Sequence, residues 1–373
     1  MALGNVAVLA SAQTEFRPEW GDAQHIDLIS SVVSNVFKGT GLTLDDVDFV
    51  IDSGSDVLDG RSISNCGFLG ALGAHHKEEA RVEEDGLWSA LYGVNKIRSG
   101  ASSIGLIVAY SKPSEMRNVE DYWSSQCEPF YQRPVGFSQR AANGIMAQRY
   151  LAAHGITDRQ LAELVVGRWA DAVSFGGVEI DVAPNADAVL GSGNGAAPLT
   201  EMMFARPVDG AVAVLLGRDD IARRASRNPV FITGMGSSMD SHAFATREPN
   251  RIAACGTAAA MAYRKAGWTA SEADLVELSA SSIVGELLAL EALGFAGAGK
   301  GIEAALGGKA RVNRSGGALP ADPIMATGLA RLANAARQLS QPELYGAGSP
   351  SRAVVHGAGG VAMQNNCVFT LEV

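Results

Sequence analysis

Between Val312 and Arg331 the chain reads VNRSGGALPADPIMATGLAR, and here residue types and spacing first suggest chemistry. Asn313-Arg314-Ser315-Gly316-Gly317 is a polar, glycine-bearing turn. Asp322-Pro323 follows: a favoured capping residue, then one whose missing N–H costs nothing in a first helical turn. Beyond it Met325, Leu329, Leu332, Ala336 and Leu339 recur at helical spacing, so a helix is expected to start at this Asp-Pro pair. A flexible loop would then lead to a helix N-terminus, where free N–H groups and the helix dipole suit an anion or an oxyanion. The plainer reading is an ordinary loop in which Asp322 only caps its helix.

The rest of the chain has to position this stretch. A length of 373 residues predicts two or three domains, and 47% apolar with 19% charged residues predicts a globular chain and not a disordered one. Acidic residues outnumber basic ones, 40 to 30, and no Lys/Arg run occurs, which argues against a nucleic-acid surface. An anionic ligand would therefore need a local basic pocket. The opening residues MALGNVAVLASAQ lack the basic flank of a signal peptide and read as a strand, and no apolar run approaches a membrane span. Cys66, Cys127, Cys255 and Cys367 are scattered without a CxxC pair, which fits a reducing, cytoplasmic setting without a disulfide framework. His75-His76 precedes Lys77-Glu78-Glu79, a solvated run, so no metal site is expected. Gly191-Ser-Gly-Asn-Gly resembles a dinucleotide loop, but no strand is predicted before it and Pro198 follows closely, so that reading is set aside.

Taken in order, Asn5 to Ala10 reads as a strand, His25 to Phe37 as a helix and Asp48 to Ile51 as a strand. Between the last two, Gly41, Thr43, Asp46, Asp48 and Val50 recur at constant offset as Gly267, Thr269, Glu272, Asp274 and Val276. That second copy also follows a strand, Pro229 to Thr233, and a small-residue helix, Gly256 to Ala266. The same order with matching turn residues predicts a duplicated α/β fold. The first half continues with a helix near Gly86 to Ile97 and a strand from Ile104 to Ala109. The second continues with a strand at Leu275 to Leu278, a helix from Gly285 to Leu293, the stretch described first, and strands near Ala353 to His356 and Val368 to Leu371. Between the halves lies an aromatic and basic insert with Tyr122, Trp123, Phe130, Tyr131, Arg133, Phe137 and Arg140. Two helices follow in it, the second opening on the capping box Thr157-x-x-Gln160. The expected division is 1–112 for the first half, 113–227 for a loop or lid domain that includes the return to the first half, and 228–373 for the second half.

Two similar α/β halves with an inserted loop domain resemble the thiolase superfamily, and residues over most of the chain carry the resemblance. Asn313-Arg-Ser-Gly-Gly, Asp322-Pro323 and Ala326-Thr327-Gly328 are similar to the stretch N-P-x-G-G…G-H-P-x-G-A-T-G. Glu277 to Leu287 with Glu291-Ala-Leu-Gly-Phe resembles the H-D-x-F-x-x-N-E-L…E-A-L-G of sterol-carrier-type members. Pro198-Leu199 with Val208-Asp209-Gly210-Ala211 resembles their P-L…S-D-G-A segment, and His356-Gly-Ala-Gly-Gly sits where the family has a C-x-G-G-G loop. The resemblance implies thiolase-like duplicated αβαβα halves and a coenzyme A thioester as substrate or ligand, with no covalently bound cofactor. It also implies a homo- or hetero-dimer with another thiolase-fold chain, and an association with a small zinc-ribbon/OB-fold acyl-CoA-binding subunit; no nucleic acid and no membrane are expected as partners.

The family acylates a cysteine at a helix N-terminus and moves protons with a second cysteine and histidines. This sequence departs from that pattern throughout. Glu83-Glu84-Asp85 stands where the nucleophile is expected, Ser279 and Asp322 match the histidines, and His356 matches the last cysteine. The resemblance places Ser279, Asn313, Gly317, Ala358 and Gly359 around the substrate and its oxyanion. Two functions are thus expected from the resemblance. One is a subunit, itself catalytically silent, of a complex that cleaves or forms C–C bonds in acyl-CoA. The other is a retro-aldolase acting on a β-hydroxyacyl-CoA, with Asp322 and His356 as acid and base, since that reaction needs no thiol.

Overall fold

The computed structural model describes residues 5–226, 228–346 and 348–373. The first half begins with β1 (Val6–Gln13), α1 (His25–Val36), β2 (Phe49–Ser53) and the short α2 (Asp56–Asp59), then β3 (Glu78–Val82), α3 (Gly86–Arg98) and β4 (Ile104–Ser111). The insert holds α4 (Val119–Ser125), α5 (Gln139–His154), α6 (Asp158–Phe175), α7 (Ala186–Leu190) and the ribbon of β5 (Asn194–Ala196) and β6 (Leu199–Thr200). The chain returns to the first half in β7 (Gly210–Arg218) and leaves it through α8 (Asp219–Ala225). The second half comprises β8 (Val230–Met239), α9 (Ala253–Ala266), β9 (Leu275–Leu278), α10 (Ile283–Ala292), α11 (Gly301–Gly307), β10 (Arg311–Val312), α12 (Thr327–Ser340), β11 (Arg352–Gly359) and β12 (Asn365–Glu372).

The long strands form one sheet in the order β10-β9-β11-β12-β8-β1-β7-β4-β2-β3. Its centre is the antiparallel pair of β1 and β8. Outward from that pair, each half repeats two antiparallel and then two parallel pairings. The repeated turns have one geometry. Gly41 and Gly267 both take left-handed φ, at 73° and 79°, a region glycine enters without a Cβ penalty. Thr43 and Thr269 then open capping boxes closed by Asp46 and Glu272. Asp48 accepts the N–H groups of Ser103 and Ile104, and Asp274 those of Ser351 and Arg352, so each turn is tied to the neighbouring strand in the same way.

Strand alternation sorts the core into layers. Val50, Leu106 and Leu215 face Ile29, Val32 and Val36 of α1, while Val276, Val354 and Val368 face Cys255, Ala258 and Ala262 of α9. The intervening residues, among them Ile51, Ile107, Val355 and Phe369, enclose α3 and α12 from both halves. The result is a thiolase-like αβαβα arrangement with α3 and α12 in the central layer. The insert packs its Met146, Tyr150, Leu161 and Leu164 onto Leu287 and Leu290 of the second half. Among the described residues no helix is long and apolar enough to cross a membrane.

One expectation is corrected here. The helix expected to start at Asp322-Pro323 starts at Thr327, with Ala326 as its N-cap and no side-chain cap of its own.

Candidate functional site

The stretch read as a flexible anion loop is instead a buried structural hub. Asn313 takes a left-handed φ of 47°, its side-chain oxygen accepts from the Leu278 N–H at 2.7 Å, and its amide donates to Glu286 at 2.8 Å. Glu286 also pairs with Arg168 of α6 at 2.8 Å. Ser315 gives both its N–H and its hydroxyl to Glu277, which is further held by Gln338 and faces Arg331 at 3.4 Å. All these side chains are nearly removed from water, so each ion depends on its partners. Asn313 and Gly317, expected at the substrate, do not line the pocket that the fold creates, whereas Ala318, one residue on, does.

That pocket, about 380 Å³ including the solvent at its mouth, lies between the end of β9, the approach to α12 and the tip of the β11–β12 hairpin. Of the expected site residues it gathers Asp322, Ser279, Ala358 and Gly359. A second hollow of about 640 Å³ opens towards the insert and shares Trp123, Gln139, Ser281 and Asp322 with the first. Asp322 therefore stands where the two hollows join.

Asp322 is half-buried and accepts the Thr327 hydroxyl. Burial pushes its carboxyl up to about 6, while the Thr327 bond and the nearby Arg331 pull it back. Ser279 is buried and its N–H donates to the His356 carbonyl at 3.0 Å, but its hydroxyl has no protein partner. A buried hydroxyl beside a pocket and without a protein partner is able to donate to a ligand oxygen.

His356 was expected on a loop beside Asp322. It lies inside β11, is fully buried and does not line the pocket. Its Nε2 is 2.9 Å from Asn366 Oδ1, and the Asn366 amide donates to the Met363 carbonyl. The asparagine thus presents its oxygen, so the imidazole donates from Nε2 and keeps a bare Nδ1, which has no partner. Burial lowers the ring to about 4, so it is neutral near pH 7.

At the place expected for the nucleophile, the three acids part company. Glu83 is exposed and accepts the Asp56 N–H. Glu84 lies against Gly359, where a Cβ would overlap its carboxylate, and accepts from Asn365; burial raises its carboxyl. Asp85 is buried and is the N-cap of α3, accepting the Leu87 N–H at 2.9 Å. Its other oxygen accepts the Gly328 N–H of α12 at 2.7 Å. Burial, reinforced by Glu84 and Asp322, pushes Asp85 up to about 8 despite those two bonds. No cysteine lines either hollow among the described residues. Cys66 is exposed, and Cys367, the thiol nearest these acids, is fully buried and raised well above the usual thiol range.

Trp123, Gln139 and Thr327 are among the pocket residues that sequence reasoning missed. Trp123 was noted only as part of an aromatic run. Gln139, at the start of α5, accepts the Ala362 N–H at 2.6 Å and ties the insert to the turn at 360–363, a contact without any local signal. Thr327 was legible only as part of the A-T-G match.

A family model described as "Thiolase C-terminal domain-like" matches residues 236–371. The chain is 26% identical over 352 residues to an acetyl-CoA acetyltransferase of Methanothermobacter thermautotrophicus, covering 90% of this chain and 91% of that protein. It is 24% identical over 355 residues to an acetyl-CoA acetyltransferase of Methanocaldococcus jannaschii, covering 90% of each. Among solved structures, a chain of the Ltp2-ChsH2(DUF35) aldolase superposes with a TM-score of 0.85 at 19% identity, covering 100% of this chain and 99% of that one. Human mitochondrial 3-ketoacyl-CoA thiolase superposes with a TM-score of 0.73 at 17% identity over 100% of both chains. At these identities the two structures speak for the fold.

Proposed function

Since the chain belongs to the thiolase superfamily, we propose that it handles an acyl-CoA without a covalent acyl-cysteine, cleaving or forming a C–C bond by retro-aldol or aldol chemistry. The observation that carries this reading is Asp322: a half-buried carboxylate at the junction of two hollows, poised near 6, with no thiol in the lining. In the cleavage direction Asp322 takes the proton of the β-hydroxyl group. The Cα–Cβ bond breaks, the β-carbon becomes a carbonyl, and the electron pair passes to the thioester as an enolate. Protonation at Cα then releases the shorter acyl-CoA. The open Ser279 hydroxyl is suited to the enolate oxygen, with Ala358 and Gly359 forming the adjacent wall. His356, neutral and bonded to Asn366, holds the β11 end of the site and is not the acid.

The fold likeness to the Ltp2-ChsH2(DUF35) aldolase supports the same class of reaction and an assembly with a second chain. The test is to incubate the purified protein, alone and with whatever co-purifies with it, with a tertiary 3-hydroxyacyl-CoA. Release of a ketone and a shortened acyl-CoA is expected, slowed about 100-fold or more by Asp322→Asn. An acyl mass on any of the four cysteines, or full activity in Asp322→Asn, would falsify this reading.

A further inference from the structure

The start of α12 is served from outside its own half. Its N-cap, Ala326, has no side-chain acceptor, and the carboxylate one turn earlier, Asp322, accepts a hydroxyl and no helix N–H. The N–H of Gly328, at the second helical position, goes instead to Asp85 Oδ2, while Asp85 Oδ1 caps α3. The surroundings make room for this carboxylate. A Cβ on Gly328 would overlap it, and one on Gly357 would lie 3.3 Å from Oδ1. The Gly86 N–H also donates to the Met325 carbonyl at 2.9 Å, closing the seam from the other side.

We propose that Asp85 is a positioning residue for the pocket: by capping α3 and α12 together, it takes over the capping that Asp322 would otherwise perform and leaves the Asp322 carboxylate facing the substrate. This rests on the reading of Asp322 as the proton-transfer group. Asp322 is faced by Thr327 and Arg331 of α12, by Asp85 before α3, and by Tyr122 of α4. Asp85 is faced by Glu84, Asp322, Arg331 and Cys367. Without Asp85, the free N–H groups of α12 attract the nearest carboxylate, that of Asp322, and a carboxylate bonded by helix N–H groups ionises more easily.

The test uses protein labelled with 13C at the aspartate carboxyl carbon, the Asp322 resonance being identified by its loss in Asp322→Asn. In Asp85→Asn, and in Asp85→Ser, which keeps a cap for α3 only, the Asp322 midpoint is expected to fall by about one pH unit or more. The acid limb of the cleavage rate should fall to lower pH with it. An unchanged midpoint in a folded variant overturns the proposal. So does failure of both variants to fold, since Asp85 then serves the fold and not the placing of Asp322. If Asp322→Asn leaves cleavage intact, the functional reading falls, while the titration still decides this one.

Discussion

The two halves agree in their outer turns and diverge at the mouths of their central helices. Val50-Ile51-Asp52-Ser53 and Val276-Glu277-Leu278-Ser279 occupy matching positions at the ends of β2 and β9. Ser53 is filled in, bonded to Ser89 of α3 at 2.5 Å, whereas Ser279 opens into the pocket without a partner. Ile51 is an ordinary core residue, whereas Glu277 anchors Ser315, Gln338 and Arg331. α3 has a cap of its own and α12 borrows one. Where the fold is only scaffold, duplication has been kept. In the second half an ionic hub holds the backbone that surrounds the pocket, and that is where matching positions have taken on different work.

Breaking the hub should have the largest effect. Glu277→Ala strands Arg331 in the core and is expected to cost about 3–5 kcal/mol in denaturant unfolding. Ile51→Val, at the matching position, should cost only about 1 kcal/mol. Equal losses would mean that the hub is not a special feature of the second half. Next comes the seam between the halves: Gly328→Ala forces a methyl group into the Asp85 carboxylate and should cost about 1–3 kcal/mol, read as a lowered Tm.

A pH series sharpens the same point. Asp85 is raised in the folded state, so the stability linked to its protonation is fully present below the unfolded aspartate range and is lost as pH rises towards about 8. The Tm advantage of wild type over Asp85→Asn should therefore shrink between pH 5 and pH 8; a constant gap would contradict the raised carboxyl. The smallest effect should also be the most even. Thr43→Ala and Thr269→Ala each remove the opening residue of a capping box and should cost about 1 kcal/mol apiece. A clear inequality between them would show that the outer turns are less alike than their geometry.

What could be read from sequence was local. Helical spacing placed α1 and α3, the expected capping box at Thr157 is present, and the repeated Gly-Thr-Asp pattern revealed the duplication. The edge strands β3 and β10 were missed, the first because Glu78-Glu79-Ala-Arg-Val is too polar to announce itself and the second because it is only two residues long. The site was legible as a set of residue types but not as an arrangement. Asp322-Pro323 carries a strong local signal for a helix start, yet a carboxylate distant in the chain had already met that need at Gly328. His356 reads in sequence as the end of a strand leading into the family's glycine loop, whereas that strand runs on through Ala358 and Gly359. Pairings between residues so far apart in the chain leave no periodicity to detect.

A shared carboxylate also bears on whether this molecule divides. A fragment starting at β8 would carry α12 with the Gly328 amide bare, because its acceptor belongs to the other piece. A fragment ending with α8 would carry Asp85 with half its partners gone and the wall supplied by Gly357 removed. Duplication gave two copies of one architecture, and the bond from Asp85 to Gly328 ties the central helix of each copy to the other.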